Sequence, residues 1–224
     1  MNVGILGGTG PAGKALAARL ASVGIGVQIG SRQPERAAEV AAQLEEKWAG
    51  RRLPLSGVGN ETACEADLVV LATPWDGAAS LARSLSSRLD GKVLVSMVNA
   101  LAQVGDELLA LVPPSGSISI AVQQAAPGAL VAGAFHHLPS RLVADLDQAL
   151  DADVLVCSDH PQATAATIDL AGLIPGCRGV DAGSLSAAAA IEAFTAVLVG
   201  INLKHRVRAS IRLTGFDPGG RARG

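Results

Sequence analysis

A glycine-rich turn near the start of the chain constrains the fold more than any other feature of the sequence. Residues 8–13 read Gly-Thr-Gly-Pro-Ala-Gly and fit the pattern G-x-G-x-x-G. They stand between an apolar run at residues 3–6, which predicts a strand, and residues 12–23, whose apolar positions recur at helical spacing. In that context Gly8 permits a tight turn, Gly10 leaves room for a pyrophosphate, and Gly13 lets the helix pack on the strand. The turn therefore predicts a dinucleotide-binding loop at a helix N-terminus.

The rest of the first half continues the same alternation of strands and helices. Short apolar runs at residues 27–30, 68–72 and 93–96 predict strands, and residues 34–48 carry a helical pattern. Consecutive bulky residues in these runs indicate strands that are covered on both faces, as in parallel sheets. We predict an α/β fold, a Rossmann-type doubly wound parallel sheet with a smaller C-terminal α/β domain.

Pro127 and Gly128 follow a predicted short helix at residues 117–126 and suggest a domain boundary. Beyond it, strands are predicted at residues 130–135, 154–157 and 178–180, helices at 141–150, 161–173 and 185–206, and an edge strand at 209–216. The predicted organisation is a dinucleotide-binding domain over residues 1–126, a smaller domain over 127–216 that closes the ligand cleft, and a flexible tail over 217–224.

The end of the second predicted strand distinguishes between the two nicotinamide dinucleotides. An NAD site normally carries an acidic residue here that binds the ribose 2′-hydroxyl. This strand ends instead in Ser31 and Arg32, and Arg36 follows one helical turn later. A serine hydroxyl and two guanidinium groups suit a 2′-phosphate, which a carboxylate would repel. We therefore predict NADP(H) rather than NAD(H).

Charge and cysteine usage narrow the possible partners. Eighteen Lys and Arg residues stand against 20 Asp and Glu residues, giving a net charge of −2, and no basic run is present. This balance argues against a nucleic-acid partner. Cys64, Cys157 and Cys177 lie far apart without C-x-x-C spacing, which predicts neither disulfides nor zinc and favours the cytoplasm.

The most apolar stretch, residues 185–203, contains Glu192, whose burial in a bilayer would be costly. We therefore predict a buried helix of a protein without a membrane segment. Its apolar residues occupy more faces than one small domain covers, so we also predict a homodimer or higher homo-oligomer.

Five stretches together resemble a known family, the NADPH-dependent reductases of coenzyme F420, an 8-hydroxy-5-deazaflavin. The resemblance extends over nearly the whole chain, and its last two stretches are the most specific. The stretches are Gly7 to Gly10 with Gly13-Lys14, Gly30-Ser31-Arg32, Thr73-Pro74-Trp75, Ala134 to Pro139, and Asp181 to Ser186.

The resemblance implies a role for individual residues in binding the two cofactors. For NADP, it implies contacts to the pyrophosphate by Thr9, Gly10, Pro11 and Ala12, to the 2′-phosphate by Ser31, Arg32 and Arg36, and elsewhere along the nucleotide by Trp75, Ala79, Leu101 and Ser140. For the deazaflavin, it implies contacts by His136 and Leu138. It extends to Asn99 and Ala100, although Met97-Val98-Asn99-Ala100 stands where family members often carry proline-rich sequence.

The expected reaction is transfer of a hydride between NADP(H) and coenzyme F420, two small-molecule substrates that carry this chemistry themselves. No catalytic side chain is obligatory, although His136 is a candidate proton relay. His136 and His137 do not predict a metal site, because adjacent residues on an extended chain point apart and no third ligand stands at a suitable spacing.

Two alternatives stay open at the level of sequence. The first is an NADP-dependent imine or carbonyl reductase, which normally needs a proton donor; the chain contains no Tyr. The second is a redox sensor that binds NADP without turnover.

Overall fold

The computed structural model describes residues 1–105 and 107–216 and is organised around one eight-stranded sheet. Within this part of the chain the strands are β1 (Asn2–Leu6), β2 (Gly26–Ser31), β3 (Leu55–Gly59), β4 (Leu68–Leu71), β5 (Val93–Ser96), β6 (Leu101–Val104), β7 (Glu107–Ala110), β8 (Leu130–Gly133), β9 (Ala152–Ser158) and β10 (Cys177–Asp181). Strands β6 and β7 pair antiparallel in a separate hairpin.

Helices cover both faces of the sheet. They are α1 (Pro11–Ser22), α2 (Pro34–Lys47), α3 (Asn60–Ala63), α4 (Trp75–Ser84), α5 (Ser86–Leu89), α6 (Ile118–Ala125), α7 (Ser140–Val143), α8 (Pro161–Gly172) and α9 (Ala188–His205). A 3₁₀ turn, Leu185–Ala187, leads into α9. Pro11, Pro34 and Pro161 each occupy the first turn of a helix, where the missing N–H has no intrahelical acceptor to lose.

The strand order is β10-β9-β8-β5-β4-β1-β2-β3. All neighbouring pairs are parallel except β8 and β9, which pair antiparallel through Ala132 with Ser158 and Gly133 with Cys157. The carboxyl ends of β1, β2, β4, β5 and β8 consequently share one edge of the sheet. In open α/β sheets that edge is where ligands bind.

The core consists of two apolar layers that the central strands separate. Side chains of β4 alternate between them: Leu68 and Val70 pack with α1 and α2, whereas Val69 and Leu71 pack with α4 and α6. This alternation explains why the strands read as continuous apolar runs, since both faces of each are buried. The predicted Rossmann-type α/β fold is confirmed.

Several elements differ from the sequence-based expectation. The sequence patterns missed β3, α3, α4, α5 and the β6–β7 hairpin, which are short or rich in Gly, Ser and Ala. The helix predicted at residues 141–150 is reduced to the single turn α7. The predicted edge strand at residues 209–216 is wrong, because no strand is present there. Leu213 N donates a hydrogen bond to the Asp153 carboxylate, and Asp153 N donates to the carbonyl of Ile211, so these bonds fasten the segment to β9.

The last three strands extend the sheet of the first half rather than forming another sheet. The predicted boundary between residues 126 and 127 therefore falls between two parts of the chain that contribute strands to the same sheet. The tail predicted at residues 217–224 lies outside the described residues.

Candidate active site

The glycine-rich turn forms a compact loop between β1 and α1. Gly7 has a φ of 65°, and the N–H of Gly8 donates to the carbonyls of Gly30 and Ile5, at 3.0 and 3.2 Å. Gly8 and Gly13 are in close contact, because a Cβ on Gly13 would lie 2.7 Å from the Cα of Gly8. A Cβ on Gly10, in contrast, would have no atom within 4 Å. The loop therefore presents open space at Gly10, beside the N-terminus of α1, where no side chain caps the helix.

A cavity of about 980 Å³ extends from this loop to the end of β2. Thr9 and Gly10 line it together with Ser31, Arg32 and Arg36. Both arginines are exposed, and neither forms an ion pair with any carboxylate of residues 1–105 or 107–216. The Ser31 hydroxyl accepts a hydrogen bond from Gln33 N at 3.1 Å, which fixes the turn into α2. The structure thus brings the predicted phosphate loop and the predicted 2′-phosphate cluster into one cavity.

Sequence reasoning missed Asn60, which lies at the start of α3. Its side chain is buried, and its Oδ1 accepts a hydrogen bond from Gly7 N at 3.1 Å, beside the wall of the same cavity. This residue therefore fixes the start of the glycine-rich turn. No pattern in the sequence indicates it, because β3 contains glycine and serine instead of a continuous apolar run and α3 is a single turn.

The opposite wall of the cavity comes from the segment after β4. Thr73 and Pro74 line it, followed by Asp76, Gly77 and Ser80 of α4. Trp75 is exposed and Ala79 is half-buried, but neither lines the cavity. Leu101, at the start of β6, is half-buried and also lies outside it.

Side chains from four segments, one of them α1, meet in a second, largely apolar contact surface. It combines Ala12, Ala15 and Leu16 of α1 with Met97, Phe135, Leu138, Ser140 and Val143, and encloses only about 10 Å³. That volume holds one water molecule at most. We refer to Ala12, Met97, Leu138 and Ser140 as the apolar floor. It brings together three residues that the sequence assigned to the two cofactors, namely Ala12, Leu138 and Ser140.

His136 follows β8 as predicted, but its imidazole does not face the cleft. The side chain has no exposed surface, and its Nε2 lies 3.9 Å from Oε1 of Glu192. Burial, reinforced by His137, lowers the pKa of His136 to about 3. The preceding residue, Phe135, has a φ of 63°, a turn at the end of β8 that accompanies the inward position of the ring. The imidazole is therefore uncharged and enclosed at neutral pH.

Asn99 and Ala100, for which the resemblance implies contacts to the deazaflavin, are held by neighbouring parts of the protein. Asn99 Nδ2 donates to the carbonyl of His136 at 2.9 Å, and Asn99 Oδ1 accepts from the hydroxyl of Thr195 on α9 at 3.3 Å. Ala100 is buried in the core. In this structure Asn99 therefore joins the loops after β5 and β8 to α9.

Glu192 gives the apolar helix α9 its polar anchor. Its carboxylate accepts hydrogen bonds from Ile118 N and Ser119 N, at 2.8 and 2.9 Å, and from the Ser119 hydroxyl at 2.8 Å. These bonds complete the N-terminus of α6. Burial raises the pKa of Glu192, and the three bonds oppose that shift. Leu185–His205 is long and apolar enough to cross a membrane, but only a third of its apolar window is buried. The predicted buried helix is therefore buried only on the side that Glu192 fastens to α6.

The fold and the phosphate loop together define a nucleotide-binding protein of the Rossmann type. A family model described as "NADP oxidoreductase coenzyme F420-dependent" matches residues 2–100. The F420-dependent NADP reductase of Methanocaldococcus jannaschii is 37% identical over 223 residues, covering 97% of this chain and 100% of that protein. The F420-dependent NADP reductase of Methanothermobacter marburgensis is 34% identical over 220 residues, covering 96% and 98%.

These relatives show that the chain belongs to the family of coenzyme F420-dependent NADP oxidoreductases. It is an oxidoreductase whose cofactors are NADP(H) and coenzyme F420. A crystal structure of a protein from Arthrobacter sp. FB24 matches with a TM-score of 0.79, covering 96% of this chain and 99% of that chain. Its sequence is 23% identical, so it shows the shared fold.

Proposed function

We propose that the chain transfers a hydride between C4 of the nicotinamide and C5 of the deazaflavin above the apolar floor. The observation that carries this proposal is the cavity in which an exposed pair of arginines lies together with an open phosphate loop. When bound, NADP(H) and coenzyme F420 supply the hydride donor and acceptor themselves. The residues of the chain bind the two molecules, orient their rings and exclude water.

The NADP-binding residues in this proposal fall into three groups. Gly8, Thr9, Gly10, Pro11, Ala12 and Gly13 form the pyrophosphate loop. Arg32 and Arg36 neutralise the 2′-phosphate, and Ser31 shapes the turn that presents them. The remaining contacts are assigned to Trp75, Ala79, Leu101 and Ser140, of which Ser140 belongs to the apolar floor.

The deazaflavin is proposed to lie against the loop that follows β8. Leu138 contributes an apolar side chain to the floor. His136 contributes through the position of its backbone, since contact by its imidazole would require the ring to leave its pocket. Asn99 supports this loop through its hydrogen bond to the His136 carbonyl, and Ala100, the next residue, is buried in the core. Hydride transfer needs the two rings about 3–3.5 Å apart, so a rigid support is what the reaction demands of the protein.

An anaerobic assay of the purified protein with NADPH and coenzyme F420 tests this function. We expect the deazaflavin absorbance to fall in step with NADPH oxidation, and we expect no NADPH oxidation with cyclic imines or simple carbonyl compounds. NADPH binding without any consumption would favour a redox sensor. NADPH consumption by imines or carbonyl compounds alone would favour the alternative reductase.

The proposal includes assembly into a homodimer or higher homo-oligomer. Phe194, Val197 and Ile201 on α9 are exposed, with Val197 at 53%, and the adjacent β6–β7 hairpin exposes Val104 and Leu109. Helix α9 packs against β7, so the two elements that expose these side chains are neighbours. An exposed apolar surface that joins a helix and a hairpin is typical of an interface between identical chains.

Light scattering of the purified protein checks the oligomeric state. We expect more than one chain per particle at micromolar concentration, and Val197→Glu should shift the protein towards the monomer because a charge in the apolar face would lose its solvation. Glu45→Gln, at an exposed position on α2, serves as the control. A monomeric wild-type protein would contradict this part of the proposal.

We also propose that the protein works in the cytoplasm. Cys64, Cys157 and Cys177 are buried free thiols, and burial raises the pKa of each to about 11. Thiols of this kind are typical of proteins from reducing compartments.

A further inference from the structure

A buried arginine on α1 makes a set of contacts that nucleotide binding does not explain. Arg19 lies in the last turn of α1 and is 2% exposed. Its guanidinium donates to the backbone carbonyls of four residues in one short segment, at 2.5–3.1 Å: Leu142, Val143, Asp145 and Gln148. The segment begins within α7, more than 120 residues further along the chain.

These hydrogen bonds account for four of the five N–H donors of the guanidinium. Arg19 forms no ion pair within the described part of the chain, so backbone carbonyls alone solvate its charge. Burial lowers its pKa, and the Asp145 carboxylate opposes the shift. The acceptors include the carbonyls of Leu142 and Val143 at the C-terminal end of α7, and the Leu142 carbonyl also accepts from Asp145 N at 3.2 Å. A lysine, with a shorter reach and no planar fork, does not reproduce this arrangement.

We refer to the hydrogen bonds from Arg19 to residues 142–148 as the Arg19 tether. The tether joins α1 and α7, and each of these helices also contributes a residue to the apolar floor. Helix α7 is a single turn that begins at Ser140, a floor residue, and ends at Val143, whose carbonyl binds Arg19. On α1, the floor residue Ala12 and Arg19 are seven residues apart, and Leu16 lies between them on the same helical face. Arg19 therefore fixes the far end of α7 to the helix that carries the phosphate loop.

We propose that Arg19 is a positioning residue for hydride transfer. By holding α7 against α1, it sets where Leu138 and Ser140 lie relative to the phosphate loop, and therefore how the two rings stack. This inference rests on the proposed site of reaction above the floor. A displacement of about 1 Å between reacting groups costs on the order of 10²-fold in rate, so a small shift of α7 should be measurable.

The test compares Arg19→Met and Arg19→Lys with a control at the same segment. Arg51 binds the Asp147 carboxylate at 2.7 Å on the protein surface, so Arg51→Met removes an exposed tether and leaves the buried one intact. We expect Arg19→Met to lower kcat at least about tenfold while the Kd for NADPH changes less than about twofold. Arg19→Lys should lie between Arg19→Met and wild type, and Arg51→Met should match wild type.

A primary isotope effect separates ring positioning from a loss of stability. With NADPH deuterated at the transferred position, the isotope effect on kcat should be larger in the Arg19 variants, because a slower hydride step then limits turnover. A purely structural role would lower the thermal midpoint and leave the isotope effect and kcat per folded molecule unchanged, which would overturn the proposal. If Arg19→Met does not fold, the Arg19→Lys variant tests the proposal instead. A wild-type kcat together with a wild-type isotope effect in Arg19→Lys would overturn the proposal that Arg19 positions the rings.

Failure of the proposed function gives a different result, since wild type itself would then not reduce the deazaflavin. In that case hydrogen exchange still reports on the tether. Residues 140–148 should exchange faster in Arg19→Met than in Arg51→Met, and equal exchange would overturn the assignment of Arg19 as the residue that holds α7.

Discussion

The nucleotide side and the ring side of the proposed site use their polar residues in opposite ways. On the nucleotide side, Arg32 and Arg36 are exposed to an open cavity and form no ion pair within the described residues. On the ring side, Asn99 is bonded to neighbouring protein groups and the His136 imidazole is fully enclosed. The difference suggests that charge selects the nucleotide, whereas packing and internal hydrogen bonds position the rings.

Gly10→Val should have the largest effect and would break the nucleotide side. The glycine has open space where a Cβ would project, so the variant should fold, while its branched side chain occupies the approach to the pyrophosphate. We expect NADPH binding to be abolished. Circular dichroism and NADPH titration should be read together, with Gly50→Val as an exposed control that also has open space. A folded variant with wild-type affinity would remove the phosphate-loop assignment.

Arg32→Asp should have the next largest effect, because it converts the exposed positive charge into one that repels a 2′-phosphate. A lost charge-assisted hydrogen bond costs about 1.5–3 kcal/mol, so NADPH affinity should fall at least about tenfold. NADH, which lacks that phosphate, should lose much less. Steady-state kinetics with both nucleotides checks this, with Arg52→Asp as a control at an exposed position. An equal loss for both nucleotides would mean that Arg32 has a structural role.

The two sides also differ in how far sequence alone predicts them. The phosphate loop follows β1 and the arginine pair follows β2, the neighbouring parallel strand, so local sequence pattern predicts that they lie at the same edge of the sheet. The central strands were predicted because they are continuously apolar. Short or small-residue elements such as β3 and α4 were missed, since their burial depends on neighbours that no local pattern describes.

The ring side depends on contacts between distant parts of the chain. The partners of Asn99 are His136 and Thr195, and those of Glu192 are Ile118 and Ser119. A sequence motif identifies the His136 to Pro139 loop but does not show that Phe135 has a positive φ and that the imidazole is buried. Arg19 appears in the sequence as an ordinary charged residue near a helix C-terminus, and its role depends on a segment that lies far along the chain.

His136→Gln should have the smallest effect and would sharpen the contrast, because it tests whether this histidine is a structural residue or an exposed proton donor. The folded protein holds the pKa of His136 at about 3, below its ordinary value of 6.5. Between these values the unfolded chain binds a proton that the folded chain does not, so stability is present above pH 6.5 and is lost as the pH falls towards 3. At about 1.4 kcal/mol per pH unit, wild type should lose at most about 2 kcal/mol from this group between pH 7 and pH 5.

The variant lacks this titration, so its free energy of unfolding should fall less over the same interval. Urea unfolding at both pH values and at one protein concentration measures the difference, and His205→Gln, at an exposed position, should behave as wild type. Turnover at neutral pH should persist, because an uncharged imidazole without exposed surface donates no proton to a bound ring. Equal pH dependence in variant and wild type, together with loss of turnover at pH 7, would instead identify His136 as an accessible acid. The ring side would then resemble the nucleotide side, with a functional polar group facing the cleft.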